Sequence, residues 1–283
     1  MEVERAAEMG FCFGVRRAIE VVEKASRERG PLQTLGALVH NQQVVNRLAE
    51  HGVGVANSID EVEGGIVAIA SHGVSPVIME ETRARGLEVI DATCPFVRKA
   101  QVVARKLGKS GFWVLVFGDS AHPEVLGVLG CAGQKASASL DIAQLDGLPD
   151  RLGILCQTTQ NHGHFARFVA QIVASDAIKF SELRIFNTIC DATRKHQEAA
   201  LELAKRVELM LVVGGLDSAN TRHLTEISAA TGVTTCHIET AAGLEARWLQ
   251  GLSRVGITAG TSTPDSVIDE VVRLLGEMTS VAR

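Results

Sequence analysis

The chain of 283 residues has no apolar run long enough to cross a bilayer. A spanning helix needs about 20 apolar residues, and the longest runs, such as 112–117 and 209–213, fall far short. No membrane partner is therefore expected. The opening ten residues, MEVERAAEMG, carry acids and lack an apolar core. The expectation is no signal peptide and a cytoplasmic location, where disulfides are disfavoured. The six cysteines then read as free, structural or metal-binding, and none forms the C-x2-C pair usual in zinc sites. Positive charge is not in excess: 28 Lys and Arg face 33 Asp and Glu, for a net charge of −5. That argues against a general nucleic-acid binder but not against a small anion held by local donors. Proline-rich linkers and low-complexity tracts are also missing. With 46% apolar and 22% charged residues the chain reads as globular. Its length suffices for two or three ordinary domains.

What the chain does have is one stretch written three times. Cys12 lies in GFCFGVRRAIEVVEKA, Cys94 in ATCPFVRKAQVVARKL and Cys190 in TICDATRKHQEAALEL. Each cysteine opens a helical pattern. Arginine follows four residues later, at Arg16, Arg98 and Arg194, and then a second cation, at Arg17, Lys99 and Lys195. These pairs read as solvated helix faces. Twenty-eight positions after each cysteine stand His40, His122 and Ser218, and two further on Gln42, Glu124 and Asn220. A later strand-like run in each copy ends in a polar loop: Ser71-His72-Gly73, Gln157-Thr158-Thr159 and Gly260-Thr261-Ser262. Repeats of this kind pack side by side and share a core. The units are expected at 14–94, 95–190 and 191–283, with 1–13 joining the last.

Apolar periodicity predicts helices after each cysteine, ending near Gly30, Gly108 and Val207. It predicts strands at 32–39, 66–70, 87–90, 112–117, 152–155, 183–186, 209–213 and 255–258. Further helices are expected from Val44, at 78–85, at 165–174 and from Pro264. Strands alternating with helices imply parallel sheets with right-handed crossovers. Ligands of such sheets bind beyond the carboxyl ends of the strands, where all the repeated polar residues fall. The expected fold is α/β: three small units related by a pseudo-threefold axis, with parallel sheets around a central metal cluster.

Three thiols in one register, each at a helix start, point to metal ligation, because helix N-termini favour thiolate. Three distant thiolates suit an iron–sulfur cube better than zinc. A cube usually takes four ligands, so three would leave one iron open. Zinc stays an alternative at this point. Cys131, Cys156 and Cys236 fall outside the register and read as structural. So do His51, His162, His164, His196, His223 and His237. His40, His72 and His122, with Ser218, Asn220 and Ser262, make a donor-rich set suited to phosphate, helped by helix-start N–H groups. Glu124 is the one acid at its register position, hence the candidate proton donor.

These residues resemble the 4-hydroxy-3-methylbut-2-enyl diphosphate reductase (LytB) family over nearly the whole chain. The resemblance rests on GFCFGV, the His40-Asn41 loop, SHGVS, DATCP, HPE, QTT, the Cys190 loop, Ser218 to Asn220 and TAGTSTPD. It implies a 4Fe-4S cluster on Cys12, Cys94 and Cys190. It implies diphosphate contacts at His40, His72, Ser218, Asn220 and Ser262, and proton relay by His122, Glu124 and Thr158, with His122 and Thr158 also touching substrate. Ala219 stands where some members have a second serine, so that contact would fall to its backbone N–H. The implied reaction is reductive removal of an allylic hydroxyl, giving isopentenyl and dimethylallyl diphosphates. A ferredoxin or flavodoxin is the implied electron donor. A zinc hydrolase and a non-catalytic diphosphate sensor are the alternative readings.

Overall fold

The structure is a computed structural model and describes residues 1–145, 147, 149–175 and 180–281. In chain order, β1 (Glu2–Arg5) and α1 (Phe13–Arg29) come first. Next are β2 (Leu32–Leu35), α2 (Gln42–Glu50), β3 (Val53–Ala56), β4 (Ile66–Ile69), α3 (Pro76–Ala84) and β5 (Glu88–Asp91). The second copy is α4 (Pro95–Lys109), β6 (Trp113–Phe117), α5 (Pro123–Ala132), β7 (Ala136–Ser139), β8 (Arg151–Cys156), α6 (His162–Val173) and β9 (Glu182–Phe186). The third is α7 (Asp191–Ala204), β10 (Leu209–Val213), α8 (Ala219–Ala229), β11 (Thr234–Ile238), β12 (Arg254–Ala259) and α9 (Asp265–Val281).

The chain divides into two compact units. One comprises Met1–Arg16, Val39–Arg47 and Asp191–Arg283, the other Arg17–Leu38 and Leu48–Cys190. The first holds one four-stranded sheet in the order β1-β12-β10-β11. The second holds two, β3-β2-β4-β5 and β7-β6-β8-β9. All pairings are parallel. All three sheets have one topology, and in the first the N-terminal strand β1 takes the place that β5 and β9 take in the others.

The central strands are continuous apolar runs because helices cover both faces of a parallel sheet. β10, Leu-Met-Leu-Val-Val, is buried at every position. Leu209, Leu211 and Val213 pack with Val255, Ile257 and Leu275 in the first unit. In the second, Phe112, Val114 and Val116 pack with Ala100, Ala104 and Leu107 of α4.

Six elements were not expected: β1, β3, β7 and β11, and the helices α5 and α8. The four strands lie at edges of their sheets and lack the apolar run that marks a central strand. β7 is Ala-Ser-Ala-Ser. α5 carries Gly127 and Gly130, which sequence alone reads as helix breakers. Here they allow close packing: a Cβ added at Gly130 would lie 2.4 Å from Ser75 Cβ. The strand expected at 32–39 stops at Leu35, since Leu38 and Val39 are buried from a loop and serve the core without pairing.

Candidate active site

The cysteine register survives as a repeated hydrogen bond. The Cys94 N–H donates to Ser71 O at 2.9 Å and the Cys190 N–H to Thr158 O at 3.1 Å. In the other unit the Cys12 N–H donates to Thr261 O at 3.1 Å. In each copy the residue that ends the outer strand's loop is thus pinned to the loop after the adjacent strand. Each cysteine starts a helix; the Cys12 and Cys94 carbonyls accept the N–H groups of Arg16 and Arg98.

Within the second unit, Cys190 is close enough for its thiolate to disfavour that of Cys94. Burial is the main cause that pushes the Cys94 thiol up, and the N–H groups of Phe96 and Val97 at the start of α4 pull it down. Asp91 Oδ1 accepts from the Thr93 N–H at 3.0 Å, and Asn187 Oδ1 from the Ile189 N–H at 3.1 Å. The same Asx turn therefore shapes the approach to both cysteines.

Glu124 lies in the first turn of α5, which His122 caps by accepting the Glu124 N–H at Nδ1, 3.1 Å. The Glu124 side chain is 3% exposed. Thr158 grips both carboxyl oxygens: its N–H donates to Oε1 and its hydroxyl to Oε2, each at 2.7 Å. Burial is the larger effect and raises the Glu124 pKa, while the Thr158 bonds oppose it. Thr158 is also the residue whose carbonyl accepts from Cys190, so one residue ties the acid to a cysteine. His72 is half-buried, its Nδ1 3.1 Å from Gly73 O.

The first unit collects the other donors. Ser218 caps α8, accepting the Thr221 N–H at 3.3 Å. Ala219 and Asn220 follow on the first turn of that helix, where backbone N–H groups have no partner within the helix ladder. Asn220 is 2% exposed, and neither amide atom has a partner among the described residues. A buried unpaired amide costs about 1–3 kcal/mol, so this site is built for something else to bind. Ser262 Oγ donates to His40 O at 3.4 Å. The same carbonyl lies 2.5 Å from where a Cβ on Gly215 would stand, so only glycine fits there. Burial lowers the His40 pKa; Asp217 opposes this and Arg222 adds to it.

Asn41 was not singled out. It is buried, its Oδ1 accepts the Val44 N–H at 3.1 Å, and its Nδ2 has no partner among the described residues. It caps α2 as His122 caps α5 and Ser218 caps α8, one residue beyond His40. The sequence signal was an Asn immediately before a helical pattern. Gln42, the register partner of Glu124, is exposed and donates to Asn46 at 2.8 Å.

The remaining cysteines differ in setting. Cys131 and Cys156 are buried in apolar clusters, and burial pushes the Cys156 thiol to about 11. Arg16, Arg98 and Arg194 pair with Asp265, Asp91 and Asp191 on exposed surface. Among the described residues no three His, Cys, Asp or Glu side chains are gathered as for a single metal ion. No helix there is long and apolar enough to cross a membrane.

The chain is 50% identical over 285 residues to a 4-hydroxy-3-methylbut-2-enyl diphosphate reductase of Dehalococcoides mccartyi (strain CBDB1), with all of both chains covered. A protein of the same description from Geobacter sulfurreducens is 42% identical over 279 residues, 98% of each chain. Among solved structures, an (E)-4-hydroxy-3-methyl-but-2-enyl diphosphate reductase, described as the terminal enzyme of the non-mevalonate pathway, is 40% identical with a TM-score of 0.70. It covers 98% of this chain and 100% of its own. The Plasmodium falciparum E-1-hydroxy-2-methyl-but-2-enyl-4-diphosphate reductase is 27% identical with a TM-score of 0.90, covering 96% of this chain and 87% of its own. The model of the family described as LytB protein matches residues 3–276, and with full-length relatives at this identity the chain belongs to the LytB family.

Proposed function

We propose that this chain is an oxidoreductase of isoprenoid synthesis that reduces 4-hydroxy-3-methylbut-2-enyl diphosphate to isopentenyl and dimethylallyl diphosphates. The observation that carries the reading is the buried carboxyl of Glu124, held by Thr158 at both oxygens while Thr158 O receives the Cys190 N–H. Two electrons and two protons convert the allylic alcohol to an alkene and water. One proton goes to the departing hydroxyl. The other goes to either end of the allyl unit, and the choice of end gives the two products.

The cofactor in this reading is a 4Fe-4S cluster with Cys12, Cys94 and Cys190 as ligands. The donor set fits: Cys190 acts electrostatically on Cys94, and the start of α4 offers N–H groups to sulfur. When bound, such a cluster supplies one-electron steps and an open iron as Lewis acid. The chain's own residues do the rest. Glu124 holds the proton for the hydroxyl, helped by a burial that favours its neutral form. Thr158 fixes the direction of that carboxyl, and His122 fixes the first turn of α5. His40, His72, Ser218, the Ala219 N–H, Asn220 and Ser262 bind the diphosphate, with His122 and Thr158 touching the same substrate. Neutral donors at helix starts suit an anion that must later leave. The repeat units are 14–94, 95–190 and 191–283 with 1–13. The enzyme works in the cytoplasm and takes electrons from a ferredoxin or flavodoxin.

Purification without oxygen, with iron and sulfide analysis and turnover under reduced methyl viologen, tests this reading. The expected result is about four irons and four sulfides per chain and release of both isomeric diphosphates. Stoichiometric zinc, or an iron–sulfur protein that binds the substrate without reducing it, would overturn it.

A further inference from the structure

Helix α4 is unlike the rest of an acidic protein. Its fifteen residues, PFVRKAQVVARKLGK, hold five cations and no acid, while the whole chain has a net charge of −5. Val97, Ala100, Gln101, Ala104 and Leu107 face the core. Lys99, Val102, Lys106 and Lys109 share the opposite, exposed face, as the helical period requires. Arg98 and Arg105 on one flank are occupied by Asp91 and by Cys131 Sγ. No salt bridge engages Lys99, Lys106 or Lys109 among the described residues.

On the other flank the helix meets the edge strand β9. A cleft of about 490 Å3 opens between them, lined by Val103, Leu107, Lys106, Lys109, Arg184 and Phe186. Arg184 and Arg151 stack on Phe112, 4.5 and 4.4 Å from the ring centroid, and both pair with Glu182, which neutralises the one acid of the strand. Phe186 remains 37% exposed, and Val102 38%. Apolar side chains ringed by unpaired cations mark an interaction surface more than a solvated one.

The two elements lead to two cysteines. Cys94 is the N-cap of α4, and Phe186 stands four residues before Cys190. Val103 lies nine residues from Cys94, about 13 Å along the helix. We infer that this face, Lys99, Val102, Lys106 and Lys109 of α4 with Phe186 of β9, docks a negatively charged one-electron carrier protein. The inference rests on the redox reading of the cysteines. It adds where the electrons enter and what charge their carrier bears. Carrier acids meet the lysines, which sets encounter rate and orientation. The exposed Val102 and Phe186 exclude water at the centre. Each contact passes one electron in and releases the oxidised carrier, so two contacts serve one turnover.

The test is the double variant Lys106→Glu with Lys109→Glu, and separately Lys99→Glu, in the cluster-bearing protein. Turnover is measured with a reduced acidic ferredoxin and, in parallel, with reduced methyl viologen. In the double variant kcat/KM for ferredoxin should fall about ten- to a hundredfold at low salt. The wild-type ferredoxin rate should drop steeply as salt rises, and the variants' rates should drop less. Viologen turnover and cluster content should not change, nor should Lys24→Glu alter either rate. An unchanged ferredoxin rate overturns the docking surface, as does an equal fall with viologen. So does a wild type that turns over with viologen but takes electrons from neither ferredoxin nor flavodoxin. Failure of the wild type with viologen would instead sink the reductase reading itself.

Discussion

Replacing Glu124 by Gln tests the proton donor with little disturbance of shape. The carboxyl oxygens sit 2.7 Å from the Thr158 nitrogen and 2.7 Å from its hydroxyl oxygen. Gln can keep the first bond at its carbonyl oxygen. It can reverse the second, its amide donating to Thr158 Oγ1. Folding should therefore survive, and the titration should vanish. Burial raises the folded-state pKa of Glu124 above its unfolded value of about 4.3. The folded chain then holds this proton to higher pH than the unfolded chain. Wild-type stability from this group is full below about pH 4.3 and declines as pH rises through the raised value. Gln removes that decline, so the variant should match or exceed the wild type in thermal stability at pH 8. Its turnover should fall by roughly 10²–10⁴, the size of a general-acid term, or about 3–5 kcal/mol of barrier. Asp should restore part of the rate, since the acid remains but its reach shortens. Ala should do worse than Gln in stability, because it leaves the Thr158 N–H and hydroxyl unpaired at about 1–3 kcal/mol each. The assay is steady-state reduction with a chemical reductant, alongside the cluster spectrum and melting at two pH values. Near-normal kcat in Glu124→Gln with an intact cluster would refute the reasoning and move the proton to His122 or a water.

Three further outcomes are expected. Ser at Cys12, Cys94 or Cys190 should each abolish iron retention, whereas Ser at Cys131, Cys156 or Cys236 should keep it; iron content per chain decides, and loss in the second set alone would break the register. Asn220→Ala should raise KM about ten- to a hundredfold, the loss of 1.5–3 kcal/mol for a bond to a charged group. Because its amide is buried without a partner, the ligand-free variant should melt no lower than wild type; a lower melting point with unchanged KM would make Asn220 structural. Gly130→Ala should destabilise by about 1–2 kcal/mol, since crowding of Ser75 at 2.4 Å outweighs the helix gain of about 1 kcal/mol; a melting point raised in the variant would mean that α5 packs less tightly than described.

Cys12, Cys94 and Cys190 were legible because a repeat compares the chain with itself. A thiol at one register in three copies carries information that a single thiol does not. The central strands were legible too, since a parallel sheet covered on both faces demands unbroken apolar runs such as that of β10. The edge strands β1, β3, β7 and β11 were not: β7 pairs on one side only, so Ala-Ser-Ala-Ser suffices and leaves no periodic mark. α5 was hidden by Gly127 and Gly130, whose reason is a neighbour distant in sequence. The register also chose Gln42 as the counterpart of Glu124 and passed over Asn41, because capping depends on where the helix begins, by one residue. The sequence by itself determined the three copies and their α/β class. Only the tertiary structure decided that Thr158 holds both oxygens of Glu124 while its carbonyl receives Cys190. Those bonds span 34 and 32 positions of chain, and no local propensity encodes them. They exist because parallel strands of one sheet end side by side.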